Sequence, residues 1–259
     1  MMHEQWPLFA LCVAIAFAIQ WLAFVPSFIF QTEHYYDVTG SFTYLTVIGC
    51  ALYFGDTSDP RTVLIAILCS LWAVRLGSFL FKRIRQDGSD SRFDDIKPNF
   101  LHFLMAWTIQ GLWVSLTLAA GLAAMTDLHT SPIGVLAILG AMVWIVGFTI
   151  EVIADRQKRQ HRANPDNKGK FISSGLWAWS RHPNYFGEIM LWTGIAIIAL
   201  PTLSGWQYLT LISPVFVYFL LTRVSGIPML ESKADDKWGD DPAYQRYKNN
   251  TPVLMLRKP

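Results

Sequence analysis

Residues 132–162 read PIGVLAILGAMVWIVGFTIEVIADRQKRQHR. From Pro132 to Ile150 there are 19 residues without a charge. That length suits a helix crossing the hydrocarbon core of a bilayer. The polarity then switches within one turn to Glu151, Asp155, Lys158, Arg159 and Arg162. A helix apolar on every side and then abruptly charged belongs to a membrane and its aqueous edge, not to a soluble core.

The same pattern recurs on both sides of this stretch. Apolar runs near 7–30, 41–55, 61–81, 100–124, 132–153, 185–203 and 206–224 give seven candidate spans, with 41–55 the shortest; six or eight spans remain compatible with the pattern. Composition agrees. Hydrophobic residues make up 53% of the 259 and charged residues 15%, against about 25% charge in a soluble domain. The expected fold is therefore all-α, a polytopic membrane bundle of about seven helices. The start, MMHEQW, has no Lys or Arg and no small-residue cleavage site follows, so the first run reads as a span rather than a cleavable signal. No repeat or second domain is visible. The chain reads as one membrane domain, 1–259. Cys12, Cys50 and Cys69 sit in apolar runs and read as small core hydrophobes.

Charge sets the orientation. Of 21 Lys and Arg, five lie in 82–97, seven in 156–181 and seven in 223–258, leaving only Arg61 and Arg75. The connections near 56–60 and 125–131 have none. Basic connections face the cytoplasm. The C-terminus is therefore expected inside and, with seven spans, the N-terminus outside. An inner bacterial membrane is the expected location.

Four constellations go beyond this rule. At about 100° per residue, Glu151, Asp155, Lys158, Arg159 and Arg162 fall near 0, 40, 340, 80 and 20 degrees, on one helix face. A salt-bridged solvated helix satisfies that pattern. So does a polar wall for a phosphate-rich ligand, cations on phosphates and acids on hydroxyls. The run Ser174–Glu188 holds Trp177, Trp179, Arg181, His182, Pro183, Asn184 and Glu188. Gly175 suits a turn there and Pro183 the first turn of a helix. Trp177 and Trp179 suit interface anchors, Trp179 better. His182 reads as a capping or packing residue. The six His are scattered without ligand spacing, so no metal is expected. Trp72 and Arg75 lie inside the third span; Arg75 either snorkels or serves a site. Last, Glu33 and Asp37 put acids on a connection expected to be basic. Either the orientation fails there or the acids face a cavity.

At Arg181-His182-Pro183-Asn184-Tyr185-Phe186-Gly187-Glu188 the chain resembles a superfamily of membrane steroid 5-alpha-reductases, sterol C14 and delta-7 reductases, and isoprenylcysteine carboxyl methyltransferases. The strings Leu71–Gly77 and Gly88–Asp94 resemble the bacterial branch of steroid-5-alpha-reductase-like proteins. The resemblance implies an NADPH site at the cytoplasmic side, with 132–259 the cofactor half and 1–124 the substrate-cavity half. By it, Asp155, Lys158, Arg159 and Arg162 match the cofactor helix. Trp177, Arg181, Asn184 and Glu188 match the second motif, and Glu231 and Tyr247 match residues closing over the cofactor. Glu151 stands where the steroid enzymes often have Asn. The chain departs from them at an adjacent Gln-Glu pair, which Gln31-Thr32-Glu33 and Asp37 match only loosely, and at a Tyr replaced by Trp72.

The function expected is NADPH-dependent reduction of an activated C=C bond in a lipophilic substrate arriving from the bilayer, possible steroid likeness included, with Glu33, Tyr36 or Asp37 polarising the carbonyl and Tyr53 next in line. Nucleic acid is not an expected partner. The alternative is an S-adenosylmethionine-dependent methyltransferase of the isoprenylcysteine type, and a non-enzymatic transporter is a third class. These readings predict that Asn184 and Glu188 lie against the face of Asp155 and Arg162, under Glu231 and Tyr247. They also predict a cavity opening to lipid among the first four spans, walled by Trp72.

Overall fold

The computed structural model describes residues 5–55, 59–127 and 131–258. Helices and turns account for the architecture, and there is no strand among the described residues. Among the described residues, six stretches are long and apolar enough to cross a membrane: Pro7–Ile29, Pro60–Arg85, Phe100–Met125, Val135–Ala163, Pro183–Thr202 and Gly205–Trp238. The chain is an integral multi-pass membrane protein. The candidate at 41–55 does become a helix, but it starts earlier, at Tyr36, and falls outside these six. Cys12 and Cys69 are buried and Cys50 is half-buried, all three as free thiols.

The chain divides into two compact units, Met1–Ile138 with Ala196–Ser213, and Leu139–Ile195 with Pro214–Pro259. The first unit is built on α1 (Gln5–Ile29), α2 (Tyr36–Phe54), α3 (Pro60–Asp87) and α4 (Phe100–Met125). Local chemistry fixes the helix ends. Asp59 caps α3 by accepting from the Thr62 amide at 3.0 Å, with Pro60 in the first turn. Asn99 does the same for α4 through the His102 amide. Both devices satisfy amides that lack an intrahelical partner. Phe24, Phe93, Phe103 and Trp107 form an aromatic core where α1 and α4 meet the α3–α4 connection. Arg61, one of the two arginines outside the basic connections, is 1% exposed. Its guanidinium donates to the carbonyls of Ile198 and Pro132. The Ile198 carbonyl is at the C-terminal end of the helix Pro183–Ala199, where the helix dipole favours a cation, which accounts for an arginine in the first turn of α3, next to a connection free of basic residues.

The second unit centres on α5 (Val135–Ala163) and α6 (Pro183–Ala199). Met142, Ile145 and Ile153 present an exposed apolar stripe on α5, as a lipid-facing helix requires. The two helices run antiparallel and touch backbone to backbone. A Cβ on Gly147 would lie 2.6 Å from the Gly187 carbonyl oxygen, and one on Gly187 2.5 Å from that of Gly147. One heptad away, a Cβ on Gly194 would lie 2.6 Å from the Gly140 carbonyl oxygen. Small residues at an interface let membrane helices approach this closely. Beyond α6 the span expected at 206–224 is not one helix. It is a 3-10 turn (Gly205–Leu211), α7 (Ile212–Phe219) and a π turn (Leu220–Val224). Two amphipathic helices follow, α8 (Gly226–Trp238) and α9 (Pro242–Asn250).

Candidate functional site

In the second unit, α5 stays helical through its charged extension to Ala163. Glu151 and Asp155 are buried, Lys158 is half-buried, and Arg159 and Arg162 are exposed. Gly175 adopts φ +62° at the start of a 3-10 turn, a conformation open to glycine. The turn packs on Gln157, whose Oε1 accepts from the Leu176 amide at 3.0 Å. Trp177 is buried rather than interfacial, and its indole N–H donates to the Ala154 carbonyl at 3.0 Å. The Lys158 ammonium sits 4.7 Å from the centre of the Trp177 ring, a cation–π contact. Trp179 is the more exposed of the two, at 38%.

The C-terminal tail is laced to this loop. The amides of Arg181 and His182 donate to the carbonyls of Pro252 and Val253, and the Arg257 amide donates to Trp179. Tyr247 donates its hydroxyl to the Trp177 carbonyl at 2.7 Å and stacks on Phe171. Burial pushes the Tyr247 phenol up, so it remains a donor. Glu231, on α8, reaches two residues at once. Its Oε1 lies 2.7 Å from His182 Nε2 and its Oε2 lies 3.0 Å from Arg181 Nη1. His182 is 5% exposed and stacks flat on Tyr185. Burial pulls the His182 imidazole below its ordinary value, against the pull of the Glu231 carboxylate.

Among the carried-over residues, Tyr247 is joined to Trp177, with Lys158 over the indole, and Glu231 to Arg181. Gly187 packs on Glu151, so Asn184 and Glu188 flank that contact. Arg159 and Arg162 lie about 12 and 16 Å further along the α5 axis, turned to solvent. Four buried polar atoms on these residues have no hydrogen-bond partner among the described residues: Arg181 Nε and Nη1, His182 Nδ1 and Asn184 Oδ1, with Nη1 facing Glu231 as an ion pair. An open cleft of about 280 Å³ lies elsewhere, lined by Gln157, Gln160, His161, Asn164, Asn167, Ser174 and Gly175. On the angular scale used above, its α5 residues fall near 180–280 degrees, the opposite face from the charged stripe. Its neutral lining makes it the weaker candidate for a phosphate-bearing ligand.

In the first unit the acids on the α1–α2 connection are engaged by the basic α3–α4 connection. Glu33 is 4% exposed; Lys97 Nζ lies 2.6 Å from one carboxylate oxygen and the Asp90 amide donates to the other at 2.9 Å. Burial pushes the Glu33 carboxyl up, but the ammonium and amide outweigh it and hold it below the ordinary range. Asp37 lies 3.1 Å from Arg83 and 3.9 Å from Arg92, and Asp90 binds both of these arginines. Burial nonetheless leaves the Asp37 carboxyl above its usual value, the two guanidinium groups compensating only in part. Tyr36 donates to the Ala106 carbonyl at 2.9 Å and packs between Phe93 and Trp107. The sequence offered a misplaced orientation or a cavity for these acids. The structure gives a third answer: cations of the neighbouring connection pair them. Trp72 is 1% exposed and meets Tyr44 edge to face, while Tyr53 is 82% exposed at the other end of α2. Arg75 lies over the Phe79 ring at 5.4 Å. Among the described residues, no three His, Cys, Asp or Glu side chains group as a metal site.

Residues 23–251 match the family model described as "Protein of unknown function (DUF1295)". Among curated proteins, the chain is 29% identical over 69 residues to 3-oxo-5-alpha-steroid 4-dehydrogenase 1 of Bos taurus, covering 27% of this chain and 26% of that one. It is 23% identical over 207 residues to an uncharacterized protein of Schizosaccharomyces pombe, covering 67% and 60%. It is 33% identical over 58 residues to a probable O-methyltransferase of Ustilaginoidea virens, covering 22% and 20%. Each match thus spans less than two thirds of the relative. No solved structure matches. With its six apolar helices and a family model covering most of its length, the chain belongs to the DUF1295 family, the steroid 5-alpha-reductase-like family.

Proposed function

We propose that this protein is an NADPH-dependent reductase of an activated C=C bond in a lipophilic substrate drawn from the bilayer, acting in lipid metabolism. The observation that carries the reading is the set of open polar atoms at Arg181, His182 and Asn184, with Lys158 of α5 over the nearby Trp177 ring. Buried polar groups are ordinarily satisfied, so this region is built to be completed by a ligand. The residues fit a phosphorylated dinucleotide. Arg159 and Arg162 offer solvent-facing cations for phosphates, and Asp155 and Glu188 offer acceptors for ribose hydroxyls. Trp177 and Tyr247 hold the loop that frames the site. NADPH supplies a hydride for the β-carbon of an enone.

The chain's own task at the other end of the substrate is to hold a proton near the carbonyl oxygen. Of Glu33, Tyr36 and Asp37, Asp37 is the best suited. Glu33 is held ionised by Lys97, and Tyr36 already donates to Ala106. Asp37 is ion-paired with Arg83 and Arg92 at rest; in this reading substrate displaces these cations, and the proton that Asp37 then takes up is donated to developing enolate charge, a contribution of roughly 3–4 kcal/mol per donor. Glu33 and Tyr36 then position that end of α2. In this reading 1–124 carries the substrate half and 132–259 the cofactor half, in an inner bacterial membrane with the basic connections and cofactor site facing the cytoplasm.

Titration of the detergent-purified protein with NADPH, NADH and S-adenosylmethionine tests the proposal. NADPH is expected to bind most tightly. The short match to a probable O-methyltransferase favours a second reading, methyl transfer from S-adenosylmethionine; binding of that compound without NADPH establishes it instead.

A further inference from the structure

The end of the chain forms a strap whose outer face differs from its inner one. Residues 252–257 run alongside 179–182 in the opposite direction. The Arg181 and His182 amides donate to the Pro252 and Val253 carbonyls at 2.9 and 3.1 Å, and the Arg257 amide donates to the Trp179 carbonyl at 3.0 Å. Between them the Ser180 hydroxyl donates to the Leu254 carbonyl at 2.9 Å. Exposure alternates along the strap. Leu254 and Leu256 are half-buried, whereas Val253, Met255 and Arg257 are exposed, Met255 at 64%. Met255 lies between residues held at Ser180 and Trp179, so the exposed apolar side chains of Trp179, Val253 and Met255 are neighbours. Lys258 follows Arg257 and is exposed as well. Neither 174–182 nor 251–258 contains an acid.

Two features name what covers this patch. The strap is bonded to residues that lead directly into a span. Ser180 is three residues from Pro183, where the apolar stretch Pro183–Thr202 begins, a reach of about 10 Å at full extension. The patch therefore continues the lipid-facing surface of α6 into the layer where hydrocarbon gives way to headgroups, the layer in which tryptophan is enriched. Its rim is also cationic, and each Lys or Arg near an anionic leaflet strengthens attachment about 5-fold. We propose that the C-terminal strap is a docking surface for anionic phospholipid headgroups of the surrounding bilayer, with Trp179, Val253 and Met255 in the interface and Arg257 and Lys258 on lipid phosphates. Only the seated strap presents the ring, the two apolar side chains and the two cations together, so an anionic leaflet favours the seated state. Because the strap accepts from the Arg181 and His182 amides, lipid charge steadies the loop that leads into α6. The surface stands whichever cofactor the protein binds.

Hydrogen exchange of the full chain in lipid nanodiscs tests this, read on peptides that span 179–182 and 252–257. One set of discs is phosphatidylcholine alone and the other is phosphatidylcholine and phosphatidylglycerol in equal parts. Exchange in both peptides is expected to be on the order of 10-fold slower in the anionic discs, with the difference shrinking in high salt. Arg257→Gln combined with Lys258→Gln leaves the backbone bonds of the strap in place and should bring the two discs to within about 2-fold. Inorganic phosphate added to the phosphatidylcholine discs should not slow exchange. Equal exchange of the wild-type chain in the two discs overturns the proposal, as does a difference that survives the double variant. Protection by inorganic phosphate assigns the cations to a soluble anion and overturns it as well. Fluorescence quenching reads the apolar patch separately. The emission of wild type minus that of Trp179→Phe should fall with lipids brominated near the headgroup and ignore aqueous iodide; the reverse places Trp179 in water and overturns the lipid seat.

Discussion

Two clusters of charge sit in this molecule, and they are finished to different degrees. In the first unit, Glu33, Asp37 and Asp90 meet Lys97, Arg83 and Arg92, and each of the six has an ionic partner. In the second, Glu231 joins Arg181 and His182 but leaves donors and acceptors open around them. A closed network holds chain segments together; an open one has capacity left for a ligand. Charge density alone does not separate a clasp from a site. Unfilled hydrogen-bond positions on the paired groups themselves do: Arg181 and His182 have them, and none of the six ions of the clasp does.

Lys97→Met is the severest test of the clasp. It strands Glu33, 4% exposed, without its cation, and breaking a buried pair from one side costs about 3–5 kcal/mol. A large fall in thermal stability is expected, with NADPH affinity of the folded protein within about 2-fold of wild type. Unchanged stability breaks the comparison. Arg181→Met should behave in the opposite way. Its loss should weaken NADPH by roughly 1.5–3 kcal/mol, the range for hydrogen bonds to charged groups, with a smaller effect on melting; titration calorimetry and thermal shift read the two separately.

The acid limb sharpens the contrast further. The folded Glu33 carboxyl is lowered below its unfolded value of about 4.3, so its stabilisation is fully present above that pH and fades as pH falls through the folded value. Lys97 is raised, chiefly by its bond to Glu33, so its share is fully present below the unfolded lysine value of about 10.4 and fades only as pH rises through the folded one. Melting curves of wild type and Glu33→Gln should therefore converge on acidification, and curves that stay parallel below pH 4 count against the pair. The smallest effect belongs to Trp177→Phe. It removes the N–H to Ala154 and weakens the Lys158 contact, for about 1 kcal/mol of stability.

The helical spans were legible because lipid imposes a simple rule on composition, and α5 with its charged end was legible from one stretch. The Arg181–Glu188 motif marked the start of α6. The first-unit clasp was not legible: Glu33 and Lys97 are 64 residues apart, and no local period connects them. The clue was indirect, two acids where basic residues were due, and it admitted answers that did not include pairing by the next connection. The role of Arg61 was hidden for a similar reason, since its carbonyl partners lie 71 and 137 residues away. The break of the last span into 3-10, α and π segments left no trace in hydropathy, which registers apolarity and not backbone pitch. The glycines at 140, 147, 187 and 194 could have been read, being spaced by seven on two consecutive spans, but only if the helices were already known to pair.

That glycine crossing is an index as well as a contact. Two smooth cylinders could slide past one another, but here carbonyls are seated against bare Cα positions at two points one heptad apart. The next equivalent seating is a full heptad away, about 10.5 Å along the axis. One residue inserted between Gly140 and Gly147 turns one glycine about 100° away from its seat. Length variation among relatives should therefore be confined to the connection between α5 and α6 and absent from the helices between these glycines. A bilayer thicker or thinner than the pair is met by tilting both helices as one block.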